Sequence, residues 1–186
     1  MKAKLLALIV IIVACGAAAT YDLWQTPANA PASDNALVAS PHKIPAINFT
    51  TLEGKNYFLS TLPEKGIILH FWASWCAPCA LEFPLLLRKV AEANGNLALV
   101  SVSIDDSRPN MDEFLVRLKA RGVRTDAPHV YWVWDRDKSI SLKNFQTVRA
   151  PESVLINRQR RMIDKIAGDP GWAGQEMSRK LLALVR

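Results

Sequence analysis

Gly66-Ile67-Ile68-Leu69-His70-Phe71-Trp72-Ala73-Ser74-Trp75-Cys76-Ala77-Pro78-Cys79 joins two kinds of sequence at one junction. Gly66 to Phe71 is an apolar run interrupted only by His70, the pattern of a strand covered on both faces. Pro78 to Ala93 reads as a helix that stops at Asn94-Gly95. The two cysteines therefore fall where a strand hands over to a helix.

That placement carries chemistry. An offset of three at a helix start sets both sulfurs on one side of the first turn, close enough to bridge. The first sulfur faces the positive end of the helix dipole and free backbone N–H groups, which favour thiolate over thiol. Cys76 is thus the expected nucleophile. Cys79, a turn further in, is the expected resolving thiol that attacks Cys76 in a mixed disulfide. Pro78 suits a first-turn position because it lacks an N–H and presets φ.

Other uses of the pair fit less well. Structural zinc takes four ligands, usually with a second Cys or His pair at close spacing. Here the third cysteine, Cys15, lies far away, and His42, His70 and His129 stand alone in the sequence. No metal and no cofactor is expected. A purely structural disulfide stabilises mainly by closing a long loop, and a two-residue gap closes almost nothing.

Working outward, strands are expected at Ile47 to Phe49, Tyr57 to Leu59, Leu97 to Ile104, Val130 to Trp134, Ser153 to Ile156 and Met162 to Ala167. Met111, Phe114, Leu115 and Leu118 give Asn110 to Ala120 a helical spacing that ends at Gly122. A short helix near Ser139 to Asn144 and a final helix from about Trp172 complete the pattern. The order predicts an α/β fold with one central sheet. Pro84 falls inside the motif helix, removes one backbone bond there and is expected to kink it. Asp105-Asp106 either lines the site or is a solvated strand end, the latter reading being preferred, and Arg158, Arg160 and Arg161 read as an exposed turn. Trp132 and Trp134 read as packing residues.

The chain has 186 residues and a formal charge of +6, which falls to a surplus of four once the first twenty residues are set aside. That is too little and too scattered for nucleic-acid binding. Lys2 and Lys4 precede an uncharged run from Leu5 to Ala19, the layout of an export signal or anchor. As a helix that run spans about 22 Å, short of a ~30 Å hydrocarbon core. Three readings stay open for residues 1–20: a retained anchor, a signal cleaved after Ala28-Asn29-Ala30, or a lipoprotein signal. Ile12-Val13-Ala14-Cys15 resembles a bacterial lipoprotein box, which makes Cys15 a candidate lipidation site. Each places the folded part outside the cytoplasm. Residues 21–44, with prolines and small polar residues, read as a flexible linker, leaving 45–186 as the folded domain.

Phe71-Trp72-Ala73-Ser74-Trp75-Cys76-Ala77-Pro78-Cys79, followed by Ala80-Leu81-Glu82-Phe83-Pro84, resembles the thioredoxin superfamily. More narrowly it is similar to the membrane-tethered TlpA-like, ResA-like and CcmG-like thiol–disulfide reductases, whose Trp-Cys-x-Pro-Cys-x-x-Glu-x-Pro spacing it meets in full. Arg149-Ala150-Pro151-Glu152-Ser153 resembles the segment where that family places a cis-proline beside the Cys pair. The resemblance covers about Pro45 to Arg186. It implies a thioredoxin-like fold, a central mixed β-sheet flanked by helices, with an N-terminal extension and a central insertion.

The same resemblance implies that Pro151, in a cis bond, and Trp75 meet the substrate peptide. It implies disulfide-containing periplasmic client proteins, with cytochrome c apoproteins among the candidates, and a membrane electron donor that re-reduces the pair. Reduction is the implied direction, with a dithiol oxidase as the nearest alternative. A copper metallochaperone using the Cys pair is the rival of another class. His70 departs from the acid or Asn of related proteins, and is either a buried neutral residue or part of a proton relay to Cys79. Glu82 either influences the Cys pair or caps the helix front.

Overall fold

The structure is a computed structural model and describes residues 42–186. The segment 1–20, with Cys15, and all of the linker up to residue 41 lie outside the described residues. The elements run β1 (His42–Lys43), β2 (Asn48–Thr50), β3 (Asn56–Phe58), β4 (Gly66–Trp72), α1 (Ala77–Glu92), β5 (Leu97–Ser103), α2 (Arg108–Ala120), β6 (Val130–Trp134), β7 (Glu152–Ile156), β8 (Arg161–Ala167) and α3 (Gln175–Leu184). Six strands form one mixed sheet in the order β1-β8-β7-β4-β5-β6, and β2 pairs with β3 in a separate hairpin.

β4 is central, parallel to β5 and antiparallel to β7. Every residue of β4, β5 and β7 is buried, as their largely apolar runs predict. The crossovers β4–α1–β5 and β5–α2–β6 step in the same direction, so the shared handedness of such units sets both helices on one face. There α1, α2 and α3 share a core with Ile68, Trp72 and Leu99. The opposite face is covered by residues of the β2–β3 hairpin region and of a π-helical turn at Ser139–Asn144, packed on Ile67, Leu69 and Phe71. Asp135 starts that turn: its buried carboxylate accepts from the Ile140 and Ser141 N–H groups at 3.1 and 2.7 Å.

Most element boundaries fall within two residues of the expected ones, and the departures have local causes. α2 begins at Arg108 because Pro109 is accommodated in its first turn. Trp172 does not begin α3; it is fully buried in the loop before the helix. His42 and Lys43, read as the end of the linker, instead form β1, with His42 opposite Met162 and Lys43 opposite Arg161. Ile44 and Ile47 then join the core. Arg160 is not simply exposed: its guanidinium donates to the carbonyls of Ser60, Leu62, Glu64 and Lys65, and clamps the loop before β4. Pro84 lies within α1, which continues through it to Glu92. Among the described residues no helix is long and apolar enough to cross a membrane.

Gly66 shows how closely α3 approaches the central strand. A Cβ there would stand 2.9 Å from the Leu184 Cβ and 3.1 Å from the Leu97 Cδ1. Gly66→Ala is therefore expected to destabilise the domain by about 1–3 kcal/mol, the range for overpacking a filled core. Urea unfolding of the two proteins measures it, and an unchanged midpoint would reject the close approach.

Candidate active site

The site is built where β4 ends. Cys76 is the residue just ahead of α1, and its sulfur accepts the Cys79 N–H at 3.2 Å. Cys76 and Cys79 are joined in a disulfide, with Cα atoms 5.3 Å apart. Both are buried, Cys79 completely. Trp75 beside them is 66 % exposed. The spacing read from the sequence thus brings the two sulfurs together at a helix start.

β7 supplies the second wall. It pairs with β4 so that Glu152 stands opposite Phe71, which sets Pro151 beside the end of β4. Ala150–Pro151 is cis, as the resemblance implied. Pro151 is buried, and its carbonyl accepts from the Gly168 N–H.

Beneath the cysteines lies a group of buried polar side chains. His70 on β4 is fully buried, and its Nδ1 shares a 2.9 Å hydrogen bond with the Ser153 hydroxyl on β7. Its Nε2 has no hydrogen-bond partner and stands 3.9 Å from Glu82 Oε2, too far for a hydrogen bond. Burial lowers the His70 pKa to about 3, so the ring is neutral at ordinary pH. Glu82 does not cap the helix front. It lies one turn after Cys79 on α1, 2 % exposed, with neither oxygen hydrogen-bonded. Burial pushes its carboxyl up to about 7. The indole N–H of Trp172 opposes that rise without closing a hydrogen bond of ordinary length, and the charge of Asp169 adds to it. The close approach of His70 and Glu82 is therefore no salt bridge: one partner is neutral and the other is poised between its two forms.

Asp105 belongs to the site, the less favoured of its two sequence readings. It is not a solvated strand end but 1 % exposed. The Ser74 N–H donates to both its carboxylate oxygens at 3.0 Å, and the Ser74 and Ser103 hydroxyls donate at 2.6 and 2.7 Å. One carboxylate thus fastens the loop ahead of Cys76 to the end of β5. Trp134 and Lys138 donate to the Asp105 carbonyl at 2.9 and 3.1 Å, tying in β6 and the turn after it. Trp132 is buried against Trp72 and Phe83, the packing role expected of it. Among the described residues no group of three or more His, Cys, Asp or Glu side chains is gathered to hold a metal ion.

Two outcomes follow from these groups. Asp105→Ala should cost about 1–3 kcal/mol of stability, because it leaves the Ser74 N–H without its acceptor, and should slow dithiol exchange. Chemical unfolding with a thiol-exchange assay checks both, and wild-type values in each would reject the brace. For pH, the unfolded chain binds fewer protons than the fold at Glu82 between about 4.5 and 7, so Glu82 makes stability fall as pH rises through that window. At His70 the unfolded chain binds more protons between about 3 and 6.5, so that term makes stability rise with pH. Glu82→Gln should therefore gain roughly 2–3 kcal/mol over wild type on going from pH 4.5 to 8. Unfolding midpoints across that range, parallel in the two proteins, would reject a raised Glu82 pKa.

Known proteins share both sequence and fold with this chain. The Redoxin family profile matches residues 39–179. The thiol-disulfide oxidoreductase ResA of Bacillus subtilis is 28% identical over 116 residues, which cover 62% of this chain and 60% of that protein. ResA of Bacillus cereus is 25% identical over 165 residues, covering 87% of this chain and 86% of that protein. The crystal structure of StoA from Bacillus subtilis superposes with a TM-score of 0.57 at 22% identity, over 75% of this chain and 98% of that one. With a Cys pair bridged at a helix start, a cis-proline just ahead of the neighbouring strand and a profile match across most of its length, the chain belongs to the Redoxin family, among the ResA- and CcmG-like members of the thioredoxin superfamily.

Proposed function

We propose that the protein is a thiol–disulfide oxidoreductase that reduces client disulfides outside the cytoplasm, with Cys76 as nucleophile and Cys79 as resolving thiol. The carrying observation is the Cys76–Cys79 disulfide at the start of α1, where the Cys79 N–H already donates to the Cys76 sulfur. In the reduced protein that N–H and the helix terminus favour a Cys76 thiolate. It attacks one sulfur of the client disulfide, the client S–S bond breaks, and one client cysteine leaves as thiolate. Cys79, as thiolate, then attacks the Cys76 sulfur and displaces the second client thiolate. Two electrons have passed to the client, its two thiolates take up protons, and the protein holds the Cys76–Cys79 bond.

Glu82 is the proposed acceptor of the Cys79 proton. It lies one turn away on the same helix, with a pKa of about 7 that suits exchange near neutrality. His70, held neutral, borders Glu82 and stores no proton itself at neutral pH. Trp75 offers the client an exposed indole, and Pro151 stands beside the end of β4 next to it.

The reducing direction rests on the resemblance to the ResA-like reductases. So do the membrane electron donor that resets the pair and the periplasmic setting with residues 1–20 as signal, lipid anchor or membrane anchor. A dithiol oxidase runs the same steps in reverse, and the potential of the pair separates the two. A value near −270 mV marks a reductant, as in thioredoxin, and one near −120 mV an oxidant, as in DsbA.

In the reduced protein, Cys76 is expected to alkylate at pH 6 at least ~10-fold faster than free cysteine, the gain from lowering its pKa by about a unit or more. Cys79→Ser should accumulate a mixed disulfide with an insulin substrate, seen by intact mass, and Cys76→Ser should not. Alkylation at the rate of free cysteine, or insulin reduction by the double Ser variant, would reject the assignment.

A further inference from the structure

A cleft of about 390 Å³ opens beside Cys76, between the first turns of α1 and the second half of α2. Phe114 and Leu118 of α2 line it and are nearly buried. Trp75 and Leu81 line it too, and are 66 % and 74 % exposed. Large apolar side chains left open to water beside a reactive sulfur mark a surface that something covers.

The charge of the lining has one sign. Arg117 and Arg121 are its only ionisable side chains apart from Cys76, and no carboxylate lines it. Arg117 lies 5.8 Å from the Phe114 ring centroid and pairs with Glu113 at 2.6 Å, outside the cleft. Arg121, exposed, stands one turn further on at the end of α2.

The sheet order gives the cleft a direction. In β7-β4-β5-β6, the strand that follows Pro151 and the helix that joins β5 to β6 lie on opposite sides of β4. A segment laid along Pro151 and crossing Cys76 arrives at the cleft on the far side.

We propose that this cleft seats the cysteine-bearing segment of a protein client, with a bulky apolar side chain between Leu81 and Phe114 and acidic side chains against Arg117 and Arg121. The inference rests on the exchange proposed at Cys76 and specifies which disulfides are taken: those flanked by apolar and acidic residues. Opposed charges at such a rim act chiefly on the rate of encounter, and are screened by salt.

Three peptides test it, each with Leu next to a single cysteine held in a disulfide with cysteamine, and differing only in Glu, Gln or Lys at two further flanking positions. The measurement is the rate of peptide reduction by the reduced full chain. The order Glu, Gln, Lys is expected at low salt, with Glu ahead of Lys on the order of 3–10-fold, the span of two weak surface pairs. Near 1 M salt the ratio should approach one. Arg117→Glu with Arg121→Glu should invert the order. Arg121→Glu alone, which leaves the Arg117–Glu113 pair intact, should narrow the ratio and guards against misfolding of the double variant. Equal rates for the three peptides, or a ratio untouched by either variant, would overturn the docking inference while the exchange chemistry stands. Failure of the wild type to reduce any of the peptides would overturn both.

Discussion

The hydrogen bond from the Cys79 N–H to the Cys76 sulfur depends on where α1 is made to begin. A helix start is a set of N–H groups without partners, and here one of them is given to sulfur. That arrangement holds only if the chain leaves β4 in one fixed way. Asp105 enforces this by gripping Ser74 through both backbone and side chain. β4 itself is immobilised by neighbours on both edges and by core on both faces. The chemistry is local, but its geometry comes from three strands.

The floor of the site pays little heed to stability. His70 and Glu82 take polar atoms out of water, and neither receives a full set of partners. Such groups cost free energy that the apolar side chains around them could offset only by packing. Ser153 satisfies one ring nitrogen of His70; the other faces Glu82. A neutral ring beside a carboxyl supplies no charge to hold it ionised, so burial is the largest influence that sets the carboxyl near neutrality. The motif helix thereby carries a carboxyl of near-neutral pKa one turn past Cys79.

How much of this was legible in the sequence depended on how local the determinants were. The Cys spacing, Pro78 and the apolar run from Gly66 specify a strand–helix junction by themselves, and the structure follows them closely. The cis bond at Pro151 was accessible only through resemblance, because an X–Pro pair looks the same in either isomer. β1 was missed since two exposed residues have no periodicity, and only the free edge of β8 recruits them. Asp105 and Arg160 looked like surface charges because their partners, Ser74 and the carbonyls of the 60–65 loop, are distant in sequence. Trp172 was legible as apolar, but its position by Glu82 is a tertiary fact.

Because Asp105 also accepts Trp134 and Lys138 at its carbonyl, the reactive loop is wired to strands and turns well beyond its own segment. The unit that could be transplanted to another scaffold is consequently discontinuous. Copying Trp75 through Cys79 alone would carry over two thiols and leave behind the carboxylate that fixes their bearing. A graft would need the end of the adjoining parallel strand as well, which suggests why such a short motif is a poor guide to reactivity when it occurs without that companion.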